Sequence, residues 1–307
     1  MRNKMLVYIV WVFMLALGVQ SCHQPDVQPE PMCYPILFGS SDTRAIATIE
    51  NLKTEGFKVH AYFKGNEGDS TFYQDVVYKE SQNVWDLETT EYWIPGATYW
   101  FKTFYPKDLA VDITTNAGAS QSFSISNYDI TSQQDIMIAS PDPLTVPLNG
   151  VAPDSGSVVN LNFDHKLACV VINTQSELVT PVTISKVELR GVALKGGYDG
   201  TTWTSSDRVN LGRDINITLQ IAESDTDYTD ITEGGFLVIP EKVNGVQKVY
   251  INTSYKEYEI ALPTDPSWES GQKYTYTLVI KQDNIVFNEP KVEIWDEENA
   301  TGSVVIK

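Results

Sequence analysis

The residue types that most readily do chemistry are sparse in this chain and poorly spaced for it. His23, His60 and His165 are its only histidines, they stand far apart, and no HExxH segment occurs. A zinc site gathers three or four ligands, usually from closely spaced pairs, so this arrangement carries no local signature of one. No GxSxG elbow, P-loop or GxGxxG run is present, which leaves acyl transfer and nucleotide binding without a motif. Asp225, Asp227 and Asp230 form an acidic loop of the kind that can chelate calcium. Asp230, however, stands where an EF-hand loop requires glycine, and no glutamate closes the ring, so a solvated charged loop is the plainer reading. Glycosidase carboxylates converge only in three dimensions, so the 40 acidic residues neither support nor exclude that activity. Tyr92-Trp93 and Tyr99-Trp100-Phe101 flank the turn 94–97 and could stack against a sugar ring; packing of the same rings inside a sheet protein is the competing reading. The expectation is a protein that is not an enzyme, with no catalytic residue, no metal and no cofactor.

Cys22 carries the most definite chemistry. Arg2 and Lys4 precede an apolar run at 5–18, too short and too near the terminus for a comfortable membrane span, and Val19-Gln20-Ser21 lead into the cysteine. This order resembles a bacterial lipobox, in which the cysteine thiol is lipidated (palmitate is one such acyl group) and becomes the first residue of the mature protein. An ordinary secretory signal cut near the same place is the alternative. Either way, residues 1–21 are expected to act as a signal peptide and the rest to leave the cytoplasm. Loss of Arg2 and Lys4 takes the net charge from −18 to about −20. So acidic a surface repels phosphate backbones, which argues against nucleic acid as a partner, and it keeps an exported protein soluble. Cys33 and Cys169 show no framework spacing, and Cys169, inside the apolar run 167–172, is expected to be a buried, inert thiol, with a disulfide to Cys33 as the alternative.

The elements that must position these residues are strands. Apolar residues recur at period two over 57–63, 99–104, 158–163, 186–189, 215–219 and 248–251. Turn residues separate them at 65–68, 95–96, 116–118, 196–197 and 244–245. Asn244-Gly245 is the sharpest hairpin signal, because a type I′ turn needs positive φ at both central positions. One short helical turn is predicted over 132–138, and no segment sustains a longer helical period. Strands at this spacing predict an all-β protein of antiparallel sandwiches. With 42% hydrophobic residues, the chain beyond residue 21 is long enough for two domains. Segment 140–157 contains Pro141, Pro143, Pro147, Pro153, Gly150 and Gly156 and is expected to connect them, since proline cannot donate to a ladder.

Five stretches, in their order and spacing, resemble the fimbrillin family, the pilins of Bacteroidetes outer-membrane fimbriae and their relatives. The first is Pro35-Ile36-Leu37-Phe38-Gly39 with Ser41-Asp42-Thr43-Arg44-Ala45. Leu161-Asn162-Phe163-Asp164-His165-Lys166-Leu167-Ala168 and Phe236-Leu237-Val238-Ile239-Pro240 follow. Trp268-Glu269-Ser270-Gly271-Gln272-Lys273-Tyr274-Thr275-Tyr276-Thr277-Leu278 and Val292-Glu293-Ile294-Trp295-Asp296 complete the set. The resemblance implies two tandem transthyretin-like antiparallel β-sandwich (Greek-key) domains, at 45–148 and 149–307, after a tether and removable leading strand at 22–44. It implies a structural subunit of a fimbrium at the cell outer membrane, surface-exposed and lipid-anchored through Cys22, that contributes to cell adhesion. Polymerising members of the family are cut after an arginine by a trypsin-like protease. Here the bond would be Arg44-Ala45, and the removable strand would carry Tyr34, Ile36 and Phe38. The vacated groove would accept a donor strand from another pilin subunit, in a homo- or hetero-polymer. Val304, Val305 and Ile306 would form this chain's own donor strand, or else pair within their own domain. The alternative function is a surface lipoprotein that binds glycans without catalysis.

Overall fold

The computed structural model describes residues 34–43, 49–66, 68–115, 121–149, 158–224 and 227–295. In chain order the first ten strands are β1 Leu37–Thr43, β2 Phe57–Gly65, β3 Gly68–Lys79, β4 Val84–Leu87, β5 Thr98–Tyr105, β6 Val111–Thr115, β7 Gln121–Asp129, β8 Met137–Ala139, β9 Leu144–Thr145 and β10 Val158–His165. The rest are β11 Ala168–Ser176, β12 Val182–Tyr198, β13 Trp203–Leu219, β14 Thr229–Asp230, β15 Phe236–Val238, β16 Lys248–Thr253, β17 Glu257–Ala261, β18 Gln272–Ile280, β19 Ile285–Phe287 and β20 Lys291–Ile294. A helix, α1 Ile49–Glu55, precedes β2. Gly56 ends it in the left-handed region (φ 73°), donating its N–H to the Leu52 carbonyl, as helix-terminating glycines do.

The first sheet runs β2-β3-β4-β1-β10-β8-β5, and β5 pairs back onto β2, so seven strands close into a barrel-like ring with β9 added on β5. Alternation supplies its filling: Phe57, Val59 and Ala61 of β2 and Tyr99 and Phe101 of β5 point inward. They meet Ile36, Phe38, Trp85, Met137, Val159, Leu161 and Phe163 in one core. The second core lies between two further sheets. One holds β11, β14, β15, β18, β19 and β20; the other holds β6, β7, β12, β13, β16 and β17. Buried residues from both, among them Val170, Ile172, Tyr276, Val187, Leu189 and Ile251, share the cluster. The two cores interleave along the chain. The β6–β7 hairpin joins β12 in the second core, while β10, further along the sequence, completes the ring of the first.

The expected strands at 57–63, 99–104, 158–163, 186–189, 215–219 and 248–251 all form. Several finer expectations are corrected. The first half closes into a ring where a sandwich was expected, because β5 pairs with β2 on one side and β8 on the other. The helical turn falls at Ile130–Ser132, and 137–138 belong to β8, because Asp129 accepts the Thr131 N–H and so starts the turn early. Gly196 and Gly197 lie inside β12; a Cβ at Gly196 would meet the Thr204 carbonyl at 2.9 Å, so the glycine serves close strand approach. Asn244-Gly245 makes no hairpin. Only Gly245 has positive φ, and the strands on either side, β15 and β16, belong to different sheets.

Candidate functional site

Residues 34–43 form one extended segment seated in the ring. Before β1, Ile36 donates its N–H to Glu91 and Trp93 donates to the Tyr34 carbonyl, at 2.8 and 3.0 Å. β1 then runs antiparallel to β4, with Phe38 opposite Trp85, and parallel to β10, from Leu37 opposite Val158 to Thr43 opposite Phe163. Ile36 and Phe38 are essentially unexposed. Phe38 sets its edge against Phe101 at 5.5 Å and Phe57 at 6.3 Å, and Phe57 in turn meets Phe163 at 5.3 Å. Burying two such side chains contributes roughly 1.5–3 kcal/mol each. Without β1, the ring would be open between β4 and β10, exposing this aromatic slot and two rows of unpaired backbone groups, a template for another strand.

Tyr34, Ile36 and Phe38 are thus brought together in one segment, with Tyr34 half-buried against the same core. Cys22, Cys33, Arg44, Ala45, Asp225, Val304, Val305 and Ile306 lie outside the described residues.

The aromatic platform suggested by the sequence does not form. Trp93, Tyr99 and Phe101 are buried, with Trp93 packed edge-on against Tyr99 at 4.8 Å, because alternate residues of this segment face the core. Tyr92 remains exposed, and Trp100 is half-buried beside Tyr62 on the outer face of β5. In the acidic loop, Asp230 accepts the N–H groups of Thr232 and Gly234, and Asp227 accepts that of Glu223. Its carboxylates hold the loop's own backbone. Among the described residues no group of three or more His, Cys, Asp or Glu is placed to hold a metal. Cys169 is buried and reduced, its S–H directed at the Gly234 carbonyl; burial pushes the thiol pKa up to about 12.

One functional-looking pair was not legible in the sequence. His165 Nδ1 lies 2.6 Å from Asp135 Oδ2, both buried, and the imidazole stacks on Trp295 at 4.0 Å. Such a pair can orient a nucleophile; among the described residues Nε2 of His165 has no hydrogen-bond partner, and the pair ties β10 to the segment before β8 and to the end of the second core. The only sequence signal was the polar triplet 164–166 beside an apolar run; Asp135, thirty positions away, had none.

A profile of fimbrillin-like proteins matches residues 43–295. Among solved structures, a cell adhesion candidate from Bacteroides uniformis is similar with a TM-score of 0.52 at 16% identity, over 87% of this chain and 100% of that one. Another from Bacteroides ovatus gives a TM-score of 0.54 at 14% identity, over 87% and 99%. At these identities the likeness concerns the fold. No curated protein matches the chain.

Proposed function

Because the chain belongs to the fimbrillin-like family, we propose that it is a non-catalytic structural subunit of a cell-surface fimbria, contributing to adhesion and assembled by strand replacement. The observation that carries this reading is the placement of β1. It is the first described strand, it completes a closed ring, and the bond Arg44-Ala45 follows it directly in sequence. A cut there would leave β1 held by hydrogen bonds and by the packing of Tyr34, Ile36 and Phe38.

The proposed course is export, lipidation at Cys22, attachment to the outer membrane, and cleavage at Arg44-Ala45 by a trypsin-like protease. β1 then departs with its lipid, and a neighbouring subunit's strand fills the slot by β-augmentation, satisfying the backbone of β4 and β10 together. This chain's segment around Val304, Val305 and Ile306 is in turn offered to another subunit. Brief trypsin treatment of the folded chain, followed by sequencing of the new N-terminus and a denaturing gel without boiling, tests the scheme. A new terminus at Ala45 and detergent-resistant ladders with pilin partners are expected; a resistant Arg44-Ala45 bond in folded protein would overturn it.

A further inference from the structure

What the groove demands of an incoming strand can be read from β1. Because β1 is antiparallel to β4 and parallel to β10, a strand entering in either direction has one parallel and one antiparallel neighbour. Backbone pairing therefore does not choose among incoming strands, and side chains must. On the inner face the places of Ile36 and Phe38 accept large apolar groups, the second against Phe57 and Phe101. On the opposite face the demand is for no side chain at all. A Cβ at Gly39 would lie 2.7 Å from Val158 Cγ1, closer than carbon atoms approach without displacement. Val158 is β-branched, with few χ1 positions to retreat to.

We propose that this groove is specific for a strand carrying large apolar, any residue, large apolar and glycine in β1's direction, with Val158 enforcing the glycine. This rests on the strand-replacement reading above. The segment 302–307 of a second copy does not meet the demand. In β1's direction, the one frame of 302–307 with apolar residues at both inner places uses Val304 and Ile306, and it puts Lys307 at the glycine place.

The test uses the full chain with a protease recognition sequence inserted between Arg44 and Ala45, cut after folding. Fluorescent peptides are equilibrated with it and read by anisotropy: 34–43, the same with Gly39→Val, and 298–307. The 34–43 peptide should exchange in, while Gly39→Val and 298–307 should each bind about tenfold more weakly or worse, the scale of a local overpacking penalty. Val158→Ala in the cut chain should restore most of the Gly39→Val peptide's binding and change that of 34–43 by about twofold at most, as expected for a directly coupled pair. Equal binding of the Gly39→Val peptide, failure of Val158→Ala to rescue it, or 298–307 binding as tightly as 34–43 would overturn the inference. Failure of 34–43 itself to exchange would instead overturn strand replacement, and this specificity with it.

Discussion

β1 and β11 occupy similar places in the two halves of the molecule. Each lies inside its sheet with one parallel and one antiparallel neighbour: β1 between β10 and β4, β11 between β18 and the pair β14 and β15. Each also passes a glycine that leaves room for its neighbour, Gly39 beside Val158 and Gly235 beside Cys169. They differ in commitment. All nine residues of β11 are buried, and Lys166 and Leu167 alone join it to β10, so it is held by more core side chains and by a shorter connection than β1. β1 and the residue before it supply two core side chains, Ile36 and Phe38, and the chain leaves β1 through Arg44. On the strand-replacement proposal, replaceability would follow from covalent position and the number of anchors, since the pairing pattern is shared by both strands.

Substitutions probe that difference, in descending order of effect. Ile172→Asp in β11 would bury an unpaired carboxylate, a cost of roughly 5 kcal/mol or more and comparable to a domain's whole stability. No cooperative unfolding transition should remain by circular dichroism. Phe38→Ala should lower stability by about 3–5 kcal/mol in the intact chain, since it removes an aromatic ring from a closed core. The measurement that ties this loss to β1 is the release rate of β1 from cut protein, which should rise in parallel. Gly235→Ala should cost about 1–3 kcal/mol, because the new Cβ would stand 2.6 Å from Cys169 Sγ in a strained positive-φ position. Adding Cys169→Ala should recover only the steric part, leaving the backbone strain.

The smallest effect concerns pH. His60, on the outer face of β2, meets the Gln121 side chain of β7, and burial moves its pKa below the ordinary 6.5 against a weaker upward pull from Gln121. The folded chain thus binds this proton less readily than the unfolded chain. Stability from this contact is fully present above pH 6.5 and is lost as pH falls through the lowered folded value. Urea midpoints of wild type and His60→Gln should therefore differ in slope below pH 6.5 and run parallel above. Cys169 offers a control on the other half. With its pKa near 12, the peptide containing it should resist alkylation at neutral pH in both intact and cut chains.

Much of this fold was legible because period-two alternation survives whatever the sheet does next. Phe57, Val59 and Ala61 mark an inner face in a barrel or a sandwich alike, which is why ring closure was not visible. Closure rests on the register from Lys58 opposite Phe104 to Lys64 opposite Thr98, a long-range fact without local pattern. α1 is seven residues long, too short for a helical period, and Gly56 was its one sequence mark. Gly196-Gly197 and Asn244-Gly245 misled for one reason: glycine marks permissive backbone, and close packing or a crossing between sheets needs that as much as a hairpin does. At the candidate site, Ile36, Phe38 and Arg44 drew attention through the resemblance, whereas Val158, which shapes the slot, gave no signal until its distance to Gly39 was known.

The most direct test of the central claim is hydrogen–deuterium exchange on the intact chain and on the chain cut between residues 44 and 45. Amides of 84–87 and 158–163, which flank β1, should lose protection after the cut, while those of 168–176 in β11 keep theirs. If 84–87 and 158–163 stay as protected as 168–176, or if all three lose protection together, β1 is not a separately replaceable strand.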